Sequence, residues 1–202
     1  MAKIEQFKAY RKRRDFARTS EPIAVKKSQK RGGSTFVIQK HDASHLHYDF
    51  RIAINGVLKS WAVPKGPSTN PKVKRLAVPT EDHPLEYAGF EGVIPESQYG
   101  AGTVMVWDRG RYSNLRKTDG RPVAMEQALR DGQIEIHLHG KKLKGGYALV
   151  RTGGKAKGSR WLLVKMKDKA ASAPSNPLRS KPNSVLTNRS LAEIARDAKA
   201  KG

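Results

Sequence analysis

Three histidines, two aspartates and an arginine crowd into residues 39–51, Gln-Lys-His-Asp-Ala-Ser-His-Leu-His-Tyr-Asp-Phe-Arg. Neutral imidazoles and carboxylates hold first-row divalent metals, and a guanidinium beside them suits a phosphate that the same ion touches. From Leu46 the side chains alternate at a period of two. On a strand, Leu46, Tyr48, Phe50, Ile52 and Ile54 face one way, and His47, Asp49 and Arg51 face the other. Same-side neighbours on a strand lie about 7 Å apart, so the tips of His47 and Asp49 can converge on one ion with Arg51 next in line. Spacing offers two rival triads, His41, His47 and Asp49 or His45, His47 and Asp49, and does not choose between them. The plainer alternative is a hydrogen-bonded polar face on an edge strand; the density of ligand-type residues favours a site.

The elements that must carry these residues read as β. A strand over 35–39 leads into a turn over 41–44 that returns His41 toward the polar face of the next strand. Asn55-Gly56 marks a hairpin into a strand over 57–63, and Pro64-Lys65-Gly66-Pro67 ends pairing. Further strands are expected over 75–79, 103–107, 133–139, 147–150 and 161–167, with one helix over 123–131 stopped by Gly132. Seven or eight closely spaced strands with a single internal helix predict a mainly β fold, a small closed or nearly closed β-barrel, with a sandwich as the alternative. Tyr48, Phe50, Trp61, Trp107 and Trp161 are its expected filling.

The barrel domain is expected over 32–168, preceded by a basic N-terminal arm over 1–31 and followed by a linker and C-terminal helix over 169–202. Ile4, Phe7 and Tyr10 have spacings a short helix uses. Residues 170–188 are rich in Ser, Pro, Asn and Lys, as linkers are. Ser190 and Glu193 then have capping-box spacing before a weak apolar stripe of Leu191, Ile194, Ala195 and Ala198.

Forty Lys and Arg against 18 Asp and Glu give a net charge of +22, a self-repulsion that a polyanion relieves, and nucleic acid is the expected one. No apolar run is long enough for a membrane span and no signal-like segment opens the chain, so a cytoplasmic, nucleoid-associated monomer is expected. The chain has no cysteine. Disulfides, thiolate zinc sites and cysteine nucleophiles are thereby excluded, and a metal must be held by His and carboxylate. His83 lies in a loop with Tyr87 four residues on. Lys65, Lys74 and Arg75 read either as a phosphate-binding rim or as soluble surface. His137 and His139 read as a solvated sheet face.

Several of these stretches together resemble the 3′-phosphoesterase module of bacterial DNA ligase D, the ligase of non-homologous end joining. They are residues 41–51, Ser60-Trp61-Ala-Val-Pro-Lys65-Gly66, Glu81-Asp82-His83-Pro84-Leu-Glu-Tyr87, and Gly100-Ala-Gly102-Thr103-Val. Arg13-Arg14-Asp15-Phe16, Ser20-Glu21-Pro22 and Trp161-Leu-Leu-Val-Lys165 extend the likeness from about residue 10 to 168. The resemblance implies a compact barrel that removes a 3′-terminal ribonucleoside and then the 3′-phosphate from DNA or RNA-containing primer ends. It implies a manganese-dependent reaction, with Zn²⁺ or Co²⁺ as substitutes. Carried over by motif, His41, His47 and Asp49 would hold the metal, Arg51 and His83 would clasp phosphate beside Tyr87, and Gln39, Lys65, Arg75, Arg14, Asp15 and Glu21 would support or contact substrate. His45 departs from the family pattern. Ligase and polymerase domains of one polypeptide and the end-binding protein Ku are the implied partners.

Two other classes fit parts of the sequence. A cupin-like barrel with a two-histidine, one-carboxylate iron site would perform oxygen chemistry, and a non-catalytic protein would bind nucleic acid by charge alone. Arg51 beside the ligands and the +22 charge favour a phosphate substrate over the first. Ligand clustering favours an enzyme over the second.

Overall fold

The computed structural model describes residues 7–24, 33–153 and 158–200. Ile4 and the expected boundary between residues 31 and 32 lie outside them. Strands β1 (Thr35–Asp42), β2 (Leu46–Ile54) and β3 (Val57–Val63) form an antiparallel meander. The β2–β3 turn has φ of 51° at Asn55 and 82° at Gly56, the paired left-handed conformations that a tight hairpin requires and that Asn-Gly supplies. There follow β4 (Lys74–Pro79), β5 (Gly92–Ile94), the long β6 (Gly102–Asn114), the small ribbon β7 (Lys117–Thr118) and β8 (Arg121–Pro122), then β9 (Gln133–Gly140), β10 (Lys144–Gly153) and β11 (Arg160–Lys165). The order β1-β2-β3-β4-β11-β10-β9-β6 closes through a β1–β6 pairing, giving an eight-stranded antiparallel barrel with β5 hydrogen-bonded to β6. That closing pair rules out the sandwich.

The helices are short: α1 (Lys8–Lys12), a 3₁₀ turn at Leu85–Gly89, α2 (Met125–Asp131), α3 (Pro177–Ser180) and α4 (Leu191–Lys199). Gly132 caps α2 at φ 78°. β6 runs well past the expected 103–107 because Gly110 permits rather than breaks the strand. A Cβ there would lie 2.2 Å from the His139 carbonyl oxygen, so β6 and β9 meet only over a bare backbone.

The barrel interior holds Phe36, Phe50, Trp61, Trp107, Tyr147 and Trp161, among others, each large apolar side chain contributing roughly 1.5–3 kcal/mol by leaving water. The outer face of β1, β2 and β6 is covered too. Tyr10, Val37, Leu58, Tyr87, Val104 and Val106 form a second buried cluster there, where α1 and the Leu85–Gly89 turn lie over the sheet. The polar side of β2 is therefore not a solvated edge. Leu46, expected on the core face, is instead 46 % exposed, because it pairs with Asp42 at the open end of the hairpin.

Residues 170–188 have a linker's composition, yet they lie against the barrel. Thr69 Oγ1 donates to the Ser172 and Ser175 carbonyls, both at 2.9 Å, and Trp107 Nε1 donates to the Lys181 carbonyl at 2.9 Å. Glu91 accepts from the Ser184 and Thr187 hydroxyls. Contacts made by backbone carbonyls and hydroxyls leave no apolar periodicity to read. Ser190 and Glu193 form the full capping box on α4, and Ile194 is buried with the core, so the helix docks.

Candidate active site

The β1–β2 register places His41 opposite His47, Gln39 opposite Asp49 and Val37 opposite Arg51. Directly opposed residues on antiparallel strands share a face, here the outer one. His41 is thus a strand residue, correcting the turn expected over 41–44. Pairing with both β2 and β6 carries β1 on to Asp42, and only the three residues between β1 and β2 remain for the turn. Gly102 makes this possible: its φ is 136°, and a Cβ would lie 2.1 Å from the Asp42 carbonyl oxygen.

One ligand atom each from His41, His47 and Asp49 lies within 4.8 Å of the others. His41 Nδ1 is 3.7 Å and His47 Nε2 3.8 Å from opposite oxygens of Asp49. His47 Nδ1 lies 2.9 Å from the His45 carbonyl oxygen. A carbonyl only accepts, so Nδ1 carries the proton and Nε2 turns a lone pair toward Asp49, the orientation that metal-ligating histidines show. The buried His41 Nε2 has no hydrogen-bond partner. The His45 side chain is exposed, so of the two spacing-based triads the structure gathers the one with His41, while His45 contributes its carbonyl.

Burial alone would raise the Asp49 carboxyl, but above all the Arg51 guanidinium holds it well below the usual carboxylate range. It is an anion at any working pH. Arg51 is buried and used on every side. Nη2 donates to Asp49 Oδ2 at 3.0 Å and Nε to Gln39 Oε1 at 2.7 Å. Nη1 straddles the His83 ring edge, 2.9 Å from Nδ1 and 3.3 Å from Nε2, and the guanidinium lies 5.0 Å from the Tyr87 ring centroid. Gln39 is itself fixed, its Nε2 donating to the Tyr87 and Phe90 carbonyls at 3.0 Å each.

A brace of buried charges backs this centre. Arg14 donates to Glu21 Oε1 at 2.9 Å and to Glu81 Oε1 at 2.7 Å, and its Nη2 reaches within 3.5 Å of His83 Nε2. Burial would lower the Arg14 pKa, but Glu21 and Glu81 reverse the effect and keep it charged. Tyr87 donates to Glu21 Oε1 at 2.9 Å; burial, with Glu21, pushes its hydroxyl pKa well up. The cleft so formed has a volume of about 260 Å³, and Arg14, His41, Asp49, Arg51, His83 and Tyr87 are among its lining residues.

Five expected site residues do not line the cleft: Gln39 and Glu21 stand behind it, holding Arg51, Arg14 and Tyr87, and the other three lie away from it. Asp15 is exposed, and its backbone N–H donates to Gln98. Lys65 is exposed beyond the end of β3, and Arg75 sits on β4 opposite Leu163. Conversely, Glu81, Tyr10 and Tyr99 belong to the site and carried no role in the sequence reading. Glu81 holds Arg13 and Arg14 at once. Tyr10 packs edge-on at 5.2 Å from the His83 ring. Tyr99, 51 % exposed, stands at the cleft with Arg13 over its ring at 4.4 Å. The signal for Glu81 was chemical: an acid beside His83 in so basic a chain is a natural partner for the arginines of the arm.

Burial first, then Arg51 and Arg14, lower the His83 pKa well below its ordinary 6.5. The folded imidazole therefore stays neutral where the unfolded one takes up a proton. The unfolded state binds more protons, so stability falls as pH drops below about 6.5, by up to about 1.4 kcal/mol per unit. Denaturant titrations between neutral and mildly acid pH are expected to show this limb, and His83→Gln to flatten it.

The family model described as the DNA Ligase D 3′-phosphoesterase domain matches residues 39–151, which contain the triad, Arg51 and His83. The multifunctional non-homologous end joining protein LigD of Pseudomonas aeruginosa is 49 % identical over 185 residues, 90 % of this chain and 21 % of that protein. The multifunctional non-homologous end joining DNA repair protein LigD of Mycobacterium tuberculosis is 46 % identical over 159 residues, 79 % of this chain and 19 % of that protein. LigD of Mycolicibacterium smegmatis is 42 % identical over 173 residues, 84 % of this chain and 22 % of that protein. The chain thus spans about a fifth of the length of these relatives. With the closed barrel and the triad, Arg51 and His83 gathered on one outer face, the chain belongs to the DNA ligase D 3′-phosphoesterase domain family.

Proposed function

We propose that this chain is a manganese-dependent hydrolase of DNA 3′ ends, removing a terminal ribonucleoside and then the 3′-phosphate to leave a 3′-hydroxyl. The single observation that carries this reading is the convergence of His41, His47 and Asp49 ligand atoms within 4.8 Å of one another, beside Arg51. A His47 nitrogen whose lone pair a carbonyl orients, a His41 ring with one buried nitrogen that no hydrogen bond occupies, and an ionised carboxylate suit Mn²⁺ and equally Zn²⁺ or Co²⁺. The bound ion supplies Lewis-acid polarisation of a phosphoryl oxygen and activation of water.

The chain's own groups do the rest. Arg51 offsets charge that builds on the phosphoryl oxygens, in a fixed orientation that costs no rearrangement. His83 is neutral in the free protein, so it takes up a proton as phosphate charge arrives beside it and then gives that proton to the departing oxygen. Gln39 and Tyr87 hold Arg51 and His83 in place. Glu21, Glu81 and Arg14 close the back of the cleft, and water attacks phosphorus directly. Within a longer polypeptide the module prepares ends for ligase and polymerase domains at breaks bound by Ku.

The test is a labelled primer-template carrying a 3′-phosphate or a 3′-terminal ribonucleotide, incubated with and without Mn²⁺. Phosphate and nucleoside release are expected only with the metal. Failure to release phosphate at any metal concentration would remove the reading.

A further inference from the structure

The outer face that carries the metal centre does not end there. Along β6 the outward residues run from Val104 and Val106 through the bulge beside Ile38 and Gln39 to Arg109 and Arg111, which stand opposite Val37 and Thr35. His139 of β9 lies opposite Arg111, and Lys141 follows in the β9–β10 turn. These residues line a groove of about 690 Å³ with Ser34, Gly110 and Gly140.

Beneath this groove Gly110 pairs with Gly140, both at positions that face Phe36 and Asp108 inside the barrel, so the outward side chains alone shape the groove. Its walls are cationic. Arg109 and Arg111 are both exposed and side by side on this face, and neither forms an ion pair among the described residues. In sequence, Lys26, Lys27, Lys30 and Arg31 lead directly to Gly33 and Ser34. A groove walled by exposed, uncompensated arginines, in a chain of net charge +22, is complementary to a phosphate backbone.

The groove also says which form of nucleic acid it fits. Single strands are gripped by stacking on exposed aromatic faces. Of the two aromatic rings lining the groove, Tyr112 is buried and donates its hydroxyl to the Ala53 carbonyl, and His139 is held at its edge by Ser113 and packs at 4.6 Å against His137. From Thr35 to His41 is six steps along β1, about 20 Å at the strand rise, or about six base pairs at 3.4 Å each. We propose that this groove holds the phosphate backbone of the duplex behind the 3′ end, about six base pairs from the metal centre. The proposal rests on the 3′-end reading above for its direction along the DNA.

The test compares the whole chain with its Arg109→Gln/Arg111→Gln double variant on two 3′-phosphate substrates. One has about 20 base pairs behind the end, and the other is a hairpin with a stem of about four, too short to reach the groove. For the variant, KM on the long duplex is expected to rise severalfold at unchanged kcat, with KM on the hairpin kept. The slope of log Kd against log salt for the long duplex should fall by about two, one for each cation removed. Equal weakening on both substrates, or an unchanged KM and slope, would overturn the proposal. So would a slope loss just as large on single-stranded DNA. The salt slope is read from binding alone, so a protein that binds but releases no phosphate would refute the 3′-end reading and still report on the groove.

Discussion

Asp49→Asn is expected to abolish phosphate release, by about a thousandfold or more, while the protein still folds and still binds DNA. The substitution keeps the size of the side chain and an oxygen for Arg51 Nη2, which now lies 3.0 Å from Oδ2. It removes the negative charge toward which His41 and His47 both turn. Loss of a group that merely orients a ligand costs ten- to a hundredfold in metal affinity or activity, and loss of a charged ligand costs more. Asp49 is held ionised well below the usual carboxylate range, so the native site needs no deprotonation before it accepts a cation. The neutral amide has no such advantage at any pH. Removing one partner of a buried ion pair destabilises by about 3–5 kcal/mol, and retention of the amide oxygen places Asn at or below the low end of that range. Three measurements check the prediction together: Mn²⁺ titration by calorimetry, phosphate release, and thermal unfolding. A folded variant that keeps both Mn²⁺ binding and turnover would show that these three side chains are a structural cluster.

The same residues show what a sequence can and cannot convey. Alternation from Leu46 onward put His47, Asp49 and Arg51 on one face, and Asn55-Gly56 fixed the hairpin; both are local patterns with a local cause. Alternation does not say which face is covered when both are. The outer face of β2 is buried because Tyr10 and Tyr87, about 40 residues away on either side, close over it, and nothing within β2 encodes that. His41 was placed near the site but on the wrong kind of element, because its strand is lengthened by β6, more than 60 residues later in the chain. The Arg14–Glu81 pair spans 67 residues, and such a pair has no signature in spacing. Resemblance supplied Arg14 and Glu21, both of which the structure gathers behind the cleft. It also supplied Asp15, Lys65 and Arg75, whose side chains lie outside the cleft. Lys65 stands exposed beyond the end of β3, and Arg75 shares the face of β4 that meets the core residue Leu163, with its Nε buried, so neither side chain is turned toward the cleft.

Arg51→Lys carries the second large expected effect, and it separates charge from geometry. Arginine uses Nε on Gln39, Nη2 on Asp49 and Nη1 on the edge of His83, with its plane against Tyr87. A single ammonium on a flexible stem keeps the positive charge but cannot reproduce a planar fork aimed at three partners. Gln39 Oε1, buried and at 2.7 Å from Arg51 Nε, would be left without its donor, at about 1–3 kcal/mol of stability. Removal of one preorganised donor to a developing anion costs about 10²–10³ in kcat, and that is the loss expected here, with Mn²⁺ affinity changed little because His41, His47 and Asp49 all remain. Metal binding kept with turnover lost is the opposite pairing to a damaged triad, so the two variants distinguish the residues that hold the ion from the residue that meets the phosphate. A lysine variant near the wild-type rate would mean that a positive charge at this position suffices, and the three-way fixation of Arg51 would then serve folding alone.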